Sequence, residues 1–298
     1  MRTTKRFTPT VIARFIREGR GEGTYEDYIG WHRVTRGDPA SSGRSHIFTW
    51  KNRQRDLLSD GELGQQLFAT MLPDLDDSLE QFELSPEPSE HPLAVYGEGD
   101  MESLFPGTLE LANELGIKHP KLSEKGKTVP WHLSTDLVLV FKSANGKRHI
   151  LALAYKPDDW KSKLRTRDLL RLEREYWERR GIQWLLISPE LSDVRVVLTL
   201  RRIACWALAD EVPNELKQLA TQTAIEHPFD SLTTVLEKIQ ASAGSMQLAQ
   251  NALWQAVWNG ELPIDLTRGW RPHLPLKVTT PAQFAQQNPI ASRRSAWI

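Results

Sequence analysis

The sequence predicts an α/β domain, a mixed sheet flanked by helices, followed by a mostly helical module. Three observations predict it. Two β-prone apolar runs, Leu137 to Phe141 and His149 to Tyr155, flank Ser143-Ala144-Asn145-Gly146-Lys147, the pattern of a hairpin. A basic helical stretch from Thr166 to Arg180, stopped by Gly181, leads into the apolar run Ile182 to Ile187. Strand, helix, strand of this length implies a right-handed parallel crossover. Beyond Pro189 the apolar spacing becomes helical almost throughout.

Taken in order, Val11, Ile12 and Phe15 mark a helix within Thr8 to Arg17, which runs into Gly19-Arg20-Gly21-Glu22-Gly23. No strand precedes these glycines, so they are not a nucleotide-binding fingerprint. A polar loop, Ser41 to His46, precedes a strand at Ile47 to Trp50. Ser59 and Glu62 have the spacing of a capping box, and Leu63, Leu67 and Met71 form the stripe of the helix it opens. The stretch from Ser85 to His119, Pro- and acid-rich and then helical around Leu109 to Leu115, reads as an excursion from the core. Val194 to Leu208, Asn214 to Ile225, Leu232 to Ala241 and Met246 to Trp258 each carry helical periodicity, and Gly260 to Leu266 reads as a turn into a short strand. Helices closed by a small hairpin suit a winged-helix-like module. The polar stretch from Pro281 reads as extended. The expected division is therefore a domain over 1–189, a partner- or DNA-binding domain over 190–280, and a tail over 281–298.

The 298 residues suffice for two domains. Lys plus Arg equals Asp plus Glu at 38 each, which argues against a protein that coats nucleic acid, since such affinity is mostly phosphate neutralisation. No apolar run is long enough to span a membrane, and no apolar segment follows the basic N-terminus as in a signal peptide. The lone Cys205 excludes an internal disulfide and a cysteine-based zinc site; a reducing cytoplasm is the expected setting. Eleven tryptophans read as core and interface anchors before base-stacking platforms.

One constellation carries chemistry. If Ala144-Asn145-Gly146 is a three-residue loop with Gly146 left-handed, Ser143 pairs with Lys147, Asp136 lies opposite Ala154, and Lys156 follows on the same face. A two-residue turn would send Asp136 and Lys156 to opposite faces. An acid and a lysine at one sheet end can serve phosphodiester hydrolysis, where carboxylates hold a divalent cation and a lysine balances developing charge. They can equally be a strand cap and a solvated edge charge, as Glu62 can be a simple helix cap.

Several segments resemble the TnsA-type transposon endonucleases: Ile12-Ala13-Arg14, Glu18-Gly19-Arg20-Gly21, Asp27-Tyr28-Ile29, Ser41 to His46, Leu57 to Leu63, Glu80-Gln81-Phe82, Gly116 to Pro120, Ser134-Thr135-Asp136, Lys156-Pro157 and Leu172 to Trp177. Their order and spacing cover roughly the first 190 residues. The resemblance implies a restriction-endonuclease-like fold that nicks the 5′ strands at transposon ends. It implies a Mg2+ cofactor, with Mn2+ as the substitute. The implied partners are a DDE-type transposase (TnsB) and an AAA+ regulator (TnsC). It puts Glu62 and Asp136 on the metal-binding acids and Lys156 on the catalytic lysine, with the Tyr155 carbonyl as a further metal donor. It also exposes a departure. The family has a glutamine or an acid two residues before the lysine, and this chain has Ala154; Glu80 and Glu173 are the neighbouring acids that would stand in. Ala154 keeps open a second reading, a weakened nuclease fold serving as a scaffold subunit. A third is a winged-helix DNA-binding regulator. Lys161, Lys163 and Arg165, with Arg167 beyond them, and Arg44 and His46 are either solvated charges or phosphate contacts. Net neutrality predicts weak DNA binding by the protein alone and activity that requires partners.

Overall fold

The computed structural model describes residues 6–38, 40, 44–98 and 103–297; the loop expected at 41–46 lies partly outside them. The chain forms two compact units, one of residues 1–66, 74–188 and 296–298, the other of 67–73 and 189–295.

The first unit begins with α1 (Pro9–Arg17), whose Thr8 hydroxyl accepts from the Val11 N–H at 3.3 Å. Strands β1 (His46–Trp50) and β2 (Arg53–Leu57) form an antiparallel hairpin around Lys51-Asn52, both with positive φ, as a two-residue turn matched to strand twist requires. Then come α2 (Asp60–Thr70), β3 (Leu75–Leu84), α3 (Thr108–Glu114), a small hairpin of β4 (Lys121–Glu124) and β5 (Lys127–Pro130), β6 (Leu133–Lys142), β7 (Arg148–Tyr155), α4 (Leu164–Glu178) and β8 (Gln183–Ile187). The central sheet has the order β3-β6-β7-β8. Its first two pairings are antiparallel and β7–β8 is parallel, joined through α4. The mixed sheet and its flanking helices are the restriction-endonuclease-like architecture expected above.

The β6–β7 register follows the three-residue loop. Leu137 pairs with Leu153 and Lys142 with Arg148. Ser143 N–H donates to the Lys147 carbonyl at 2.9 Å, and Gly146 has φ +84°. Continued by one residue, this register sets Asp136 opposite Ala154.

Strands β2 and β3 were not apparent in the sequence, because their inward positions are polar. Arg53, Arg55, Asp77, Ser78, Glu80 and Gln81 are all buried. Several pair with one another: Arg53 donates to Glu80 at 2.7 Å and Arg55 to the Ser78 hydroxyl at 2.8 Å. A buried ionic layer leaves no apolar alternation to read.

The second unit is helical: α5 (Val194–Ala207), α6 (Asn214–Glu226), α7 (Leu232–Ala243), α8 (Met246–Trp258) and the short α9 (Pro281–Gln286). Helix α8 is buried nearly all round, through Ala249, Leu253, Trp254, Val257 and Trp258. The strand expected after Gly260 is reduced to a single bridge, Ile264 to Val278, with a 3-10 turn at Leu266–Arg268.

The extended tail over 281–298 is overturned. Thr280 and Gln283 form a capping box that starts α9. Gln287 donates to the Ile264 carbonyl at 2.8 Å and accepts from the Leu266 N–H at 2.7 Å. Ile290 is fully buried. The Ala296 N–H donates to the Leu186 carbonyl at 2.8 Å, and Trp297 stacks on Trp160 at 5.5 Å. Polar side chains here satisfy backbone groups instead of facing water, so polarity misled the sequence reading.

Candidate functional site

Three elements deliver the site. Ser59 caps α2, its hydroxyl accepting from the Glu62 N–H at 3.2 Å. The Glu62 carboxylate turns back and accepts from the Ser59 hydroxyl at 3.1 Å and the Leu58 N–H at 2.8 Å. This is a capping box closed one residue early, since the expected backbone donor was Ser59 itself. The cap leaves Glu62 only 7% exposed, and a third bond comes from Gln81 Nε2 at 3.0 Å. Burial first, and then the negative charge of Asp136, push the Glu62 carboxyl up to about 7.

On the sheet, Asp136 Oδ2 accepts from the Tyr155 N–H at 2.7 Å and from Lys156 Nζ at 3.1 Å. Lys156 Nζ also donates to the Tyr155 carbonyl at 2.8 Å. Burial pulls the lysine's pKa down, but Asp136 and Glu173 outweigh it and the net shift is upward. Lys156 is therefore a fixed cation across the neutral range, not a base. Glu173 on α4 accepts from Thr135 at 2.8 Å and Trp184 at 3.2 Å, and burial pushes it up to about 7 against the pull of Lys156.

The donors fit a hard cation. Two carboxylates near enough to repel one another, Glu62 buried and Asp136 partly buried, stand beside the Tyr155 carbonyl; these are oxygen donors of the kind magnesium takes, one or two carboxylates at a time. Ala154 offers no side-chain oxygen, and its carbonyl accepts from Gln65 Nε2 at 3.1 Å. Among the described residues no group of three His, Cys, Asp or Glu gathers. Of the stand-in acids, Glu80 is held by Arg53, while Glu173 interacts with Lys156.

Outside this cluster, Arg44 donates to Asp60 at 3.2 Å and His46 pairs with the same carboxylate at 2.8 Å. Lys163 pairs with Asp159, Lys161 lies 5.8 Å from the Trp160 ring centre, and Arg165 is exposed on the first turn of α4.

Residues 95–189 match the family described as TnsA-like endonuclease N terminal. Over 186 residues, 62% of its length, the chain is 34% identical to "Transposon Tn7 transposition protein TnsA" from Escherichia coli. Over these stretches the chain is similar to TnsA endonucleases. The pairwise match takes in 58% of the relative's own length, less than two thirds. The matched segment includes Asp136, Ala154 and Lys156, whereas Glu62 and Gln81 precede it.

Two neighbours of the candidate site had no role assigned from the sequence. Gln81 falls between the pairs Glu80–Leu137 and Phe82–Thr135, in register with Asp136. It has φ +50°, which costs about 1–3 kcal/mol for a residue other than glycine. Its side-chain Oε1 accepts from the Ser134 hydroxyl at 3.2 Å while its Nε2 donates to Glu62. The run Glu80-Gln81-Phe82 was the only signal. Gly61 is the second, because a Cβ there would lie 2.1 Å from the Tyr155 ring.

Proposed function

We propose that the TnsA-like chain is a metal-dependent DNA endonuclease subunit of a transposase, nicking the 5′ strands at transposon ends beside a DDE-type transposase and an AAA+ regulator. One observation carries the reading: Asp136 and Lys156 are joined at the end of the β6–β7 hairpin, within electrostatic reach of Glu62. Glu62, Asp136 and the Tyr155 carbonyl would hold the cation, Mg2+ or Mn2+. The cation when bound supplies Lewis acidity toward the phosphate and the attacking water. This chain's own residues do the rest. Lys156, held protonated, faces negative charge as it develops. Ser59, Leu58 and Gln81 fix the Glu62 carboxylate before substrate arrives, so little reorganisation is left for the reaction. Arg44, Lys161, Lys163 and Arg165 are the proposed phosphate contacts, and the second unit the partner- and DNA-binding module.

Ala154 favours a second reading, a nuclease fold retained as an assembly subunit. Cleavage of transposon-end duplex with Mg2+ and the partner proteins separates the two. Asp136→Ala and Lys156→Ala should each lower 5′-strand nicking at least a hundredfold while complex assembly persists. Undiminished transposition in both variants would leave only the scaffold.

A further inference from the structure

The second unit holds a concentration of positive charge that no role above uses. Helix α5 presents Arg195, Leu198 and Arg202 along one exposed face, and the loop after the 3-10 turn presents Arg268, Trp270 and Arg271. These six residues line one open groove of about 180 Å³. The two segments lie some seventy positions apart in sequence, yet they are pinned together. Thr199 Oγ1, on α5, donates to the Leu266 carbonyl at 2.8 Å. Asp265 caps the turn by accepting from the Thr267 N–H at 3.0 Å. Gly269 then turns the chain at φ +74°, with its Cβ position 3.9 Å from Thr199 Oγ1. Arg271 Nε donates to the Arg268 carbonyl at 3.1 Å, which stiffens the loop further. The groove is thus formed before any ligand arrives.

Its charge is mostly uncompensated by its own lining. Of the four guanidinium groups, Arg195 pairs with Asp193 at 2.6 Å, and no carboxylate is among the described residues that line the groove. Planar guanidinium groups bind phosphate oxygens bidentately. A half-exposed Leu198 and the Trp270 ring, packed on Trp206 at 5.4 Å, give apolar surface for deoxyribose between phosphates. The cations beside the candidate nuclease site are more heavily committed: Lys156 to Asp136, Lys163 to Asp159 and Arg44 to Asp60. In a chain of zero net charge, affinity for a polyanion must come from local clusters.

We propose that this groove seats the phosphate backbone of duplex DNA, with Arg202, Arg268 and Arg271 as its principal contacts. The inference deepens the DNA-directed reading above, but it can fail independently of the nuclease site.

The test is binding of a fluorescent 30-base-pair duplex of arbitrary sequence by the full chain, in EDTA, over a salt series. Arg202→Ala/Arg268→Ala/Arg271→Ala should lose at least tenfold in affinity at low salt. The slope of log affinity against log salt should become shallower by about 0.9 for each phosphate contact removed. Replacing the same three arginines by lysine should restore most of the slope, because charge is kept while bidentate geometry is lost; this separates a charge effect from misfolding. Unchanged affinity and slope in a triple-alanine protein with wild-type thermal stability would overturn the proposal, and so would loss of binding to an acidic peptide with duplex binding intact. Because binding is read in EDTA, where no cleavage occurs, failure of the nuclease reading and failure of the groove give different results.

Discussion

Gly61 and the ring of Tyr155 occupy adjoining space so closely that any side chain at position 61 would overlap the ring, its Cβ lying 2.1 Å from the aromatic carbons. Gly61 sits in the first turn of α2, and its φ is not positive, so the requirement is for room and not for backbone freedom. The ring belongs to the residue whose N–H holds Asp136 and whose carbonyl holds Lys156. Gly61→Ala should therefore displace the Tyr155 peptide. Alanine gains about 1 kcal/mol in helix propensity, but overpacking costs about 1–3 kcal/mol. The expected result is a net destabilisation in denaturant melts, with nicking reduced more than the stability loss explains. Tyr155→Val in the same chain should relieve both effects.

Gln81→Ala removes a donor from Glu62 and leaves the positive φ at position 81 in place. Loss of a partner that orients a metal ligand typically costs ten- to a hundredfold in metal affinity. Calorimetric titration of the full chain with Mn2+ should show a loss in that range. Wild-type Mn2+ affinity in Gln81→Ala would remove Gln81 from the site.

Glu173 gives a pH dependence with a definite sign. Its carboxyl is pushed from 4.5 up to about 7 by burial, so the folded state binds the proton more tightly than the unfolded chain. The stability it contributes is full below about pH 4.5 and is lost as pH rises through 7, for a cost on the order of 3 kcal/mol. Glu173→Gln keeps an acceptor for Thr135 and Trp184 and never ionises. Thermal melts should show the variant gaining on the wild type as pH rises from 4.5 to 8. A difference that stays constant or shrinks over that range would mean Glu173 ionises freely in the fold.

The hairpin that joins Asp136 to Lys156 was legible because one glycine set its register: Gly146 admits the left-handed turn, and counting along two apolar strands does the rest. Helices α4 to α8 were legible from periodicity, and Glu62 from its cap. The elements that escaped detection are those where charge is buried. Arg53, Arg55, Asp77 and Glu80 neutralise each other inside β2 and β3, and an ionic interior has no hydrophobic period. Gln81 escaped for a related reason, since its role depends on a positive φ that its sequence neighbours do not encode. Among the described residues no helix is long and apolar enough to cross a membrane, in keeping with the lack of a long apolar run.

The C-terminal stretch offers the sharpest test of polarity misread as exposure. Asn288 is buried, and its amide donates to the Phe68 carbonyl at 2.9 Å. Its oxygen accepts from the N–H groups of Ile290 at 3.0 Å and Ala291 at 3.2 Å. Alanine at this position would take their acceptor from the Ile290 and Ala291 N–H groups and one of two donors from the Phe68 carbonyl, which also accepts from the Met71 N–H at 3.3 Å; a buried group left without a partner costs about 1–3 kcal/mol. Relaxation would recover part of that, so Asn288→Ala should cost about 2–4 kcal/mol in urea unfolding. Asn288→Asp should recover the two N–H bonds but not the bond to Phe68, and should fall between alanine and the wild type. A floppy tail would tolerate all three residues equally, and equal urea midpoints for the three proteins would restore that picture.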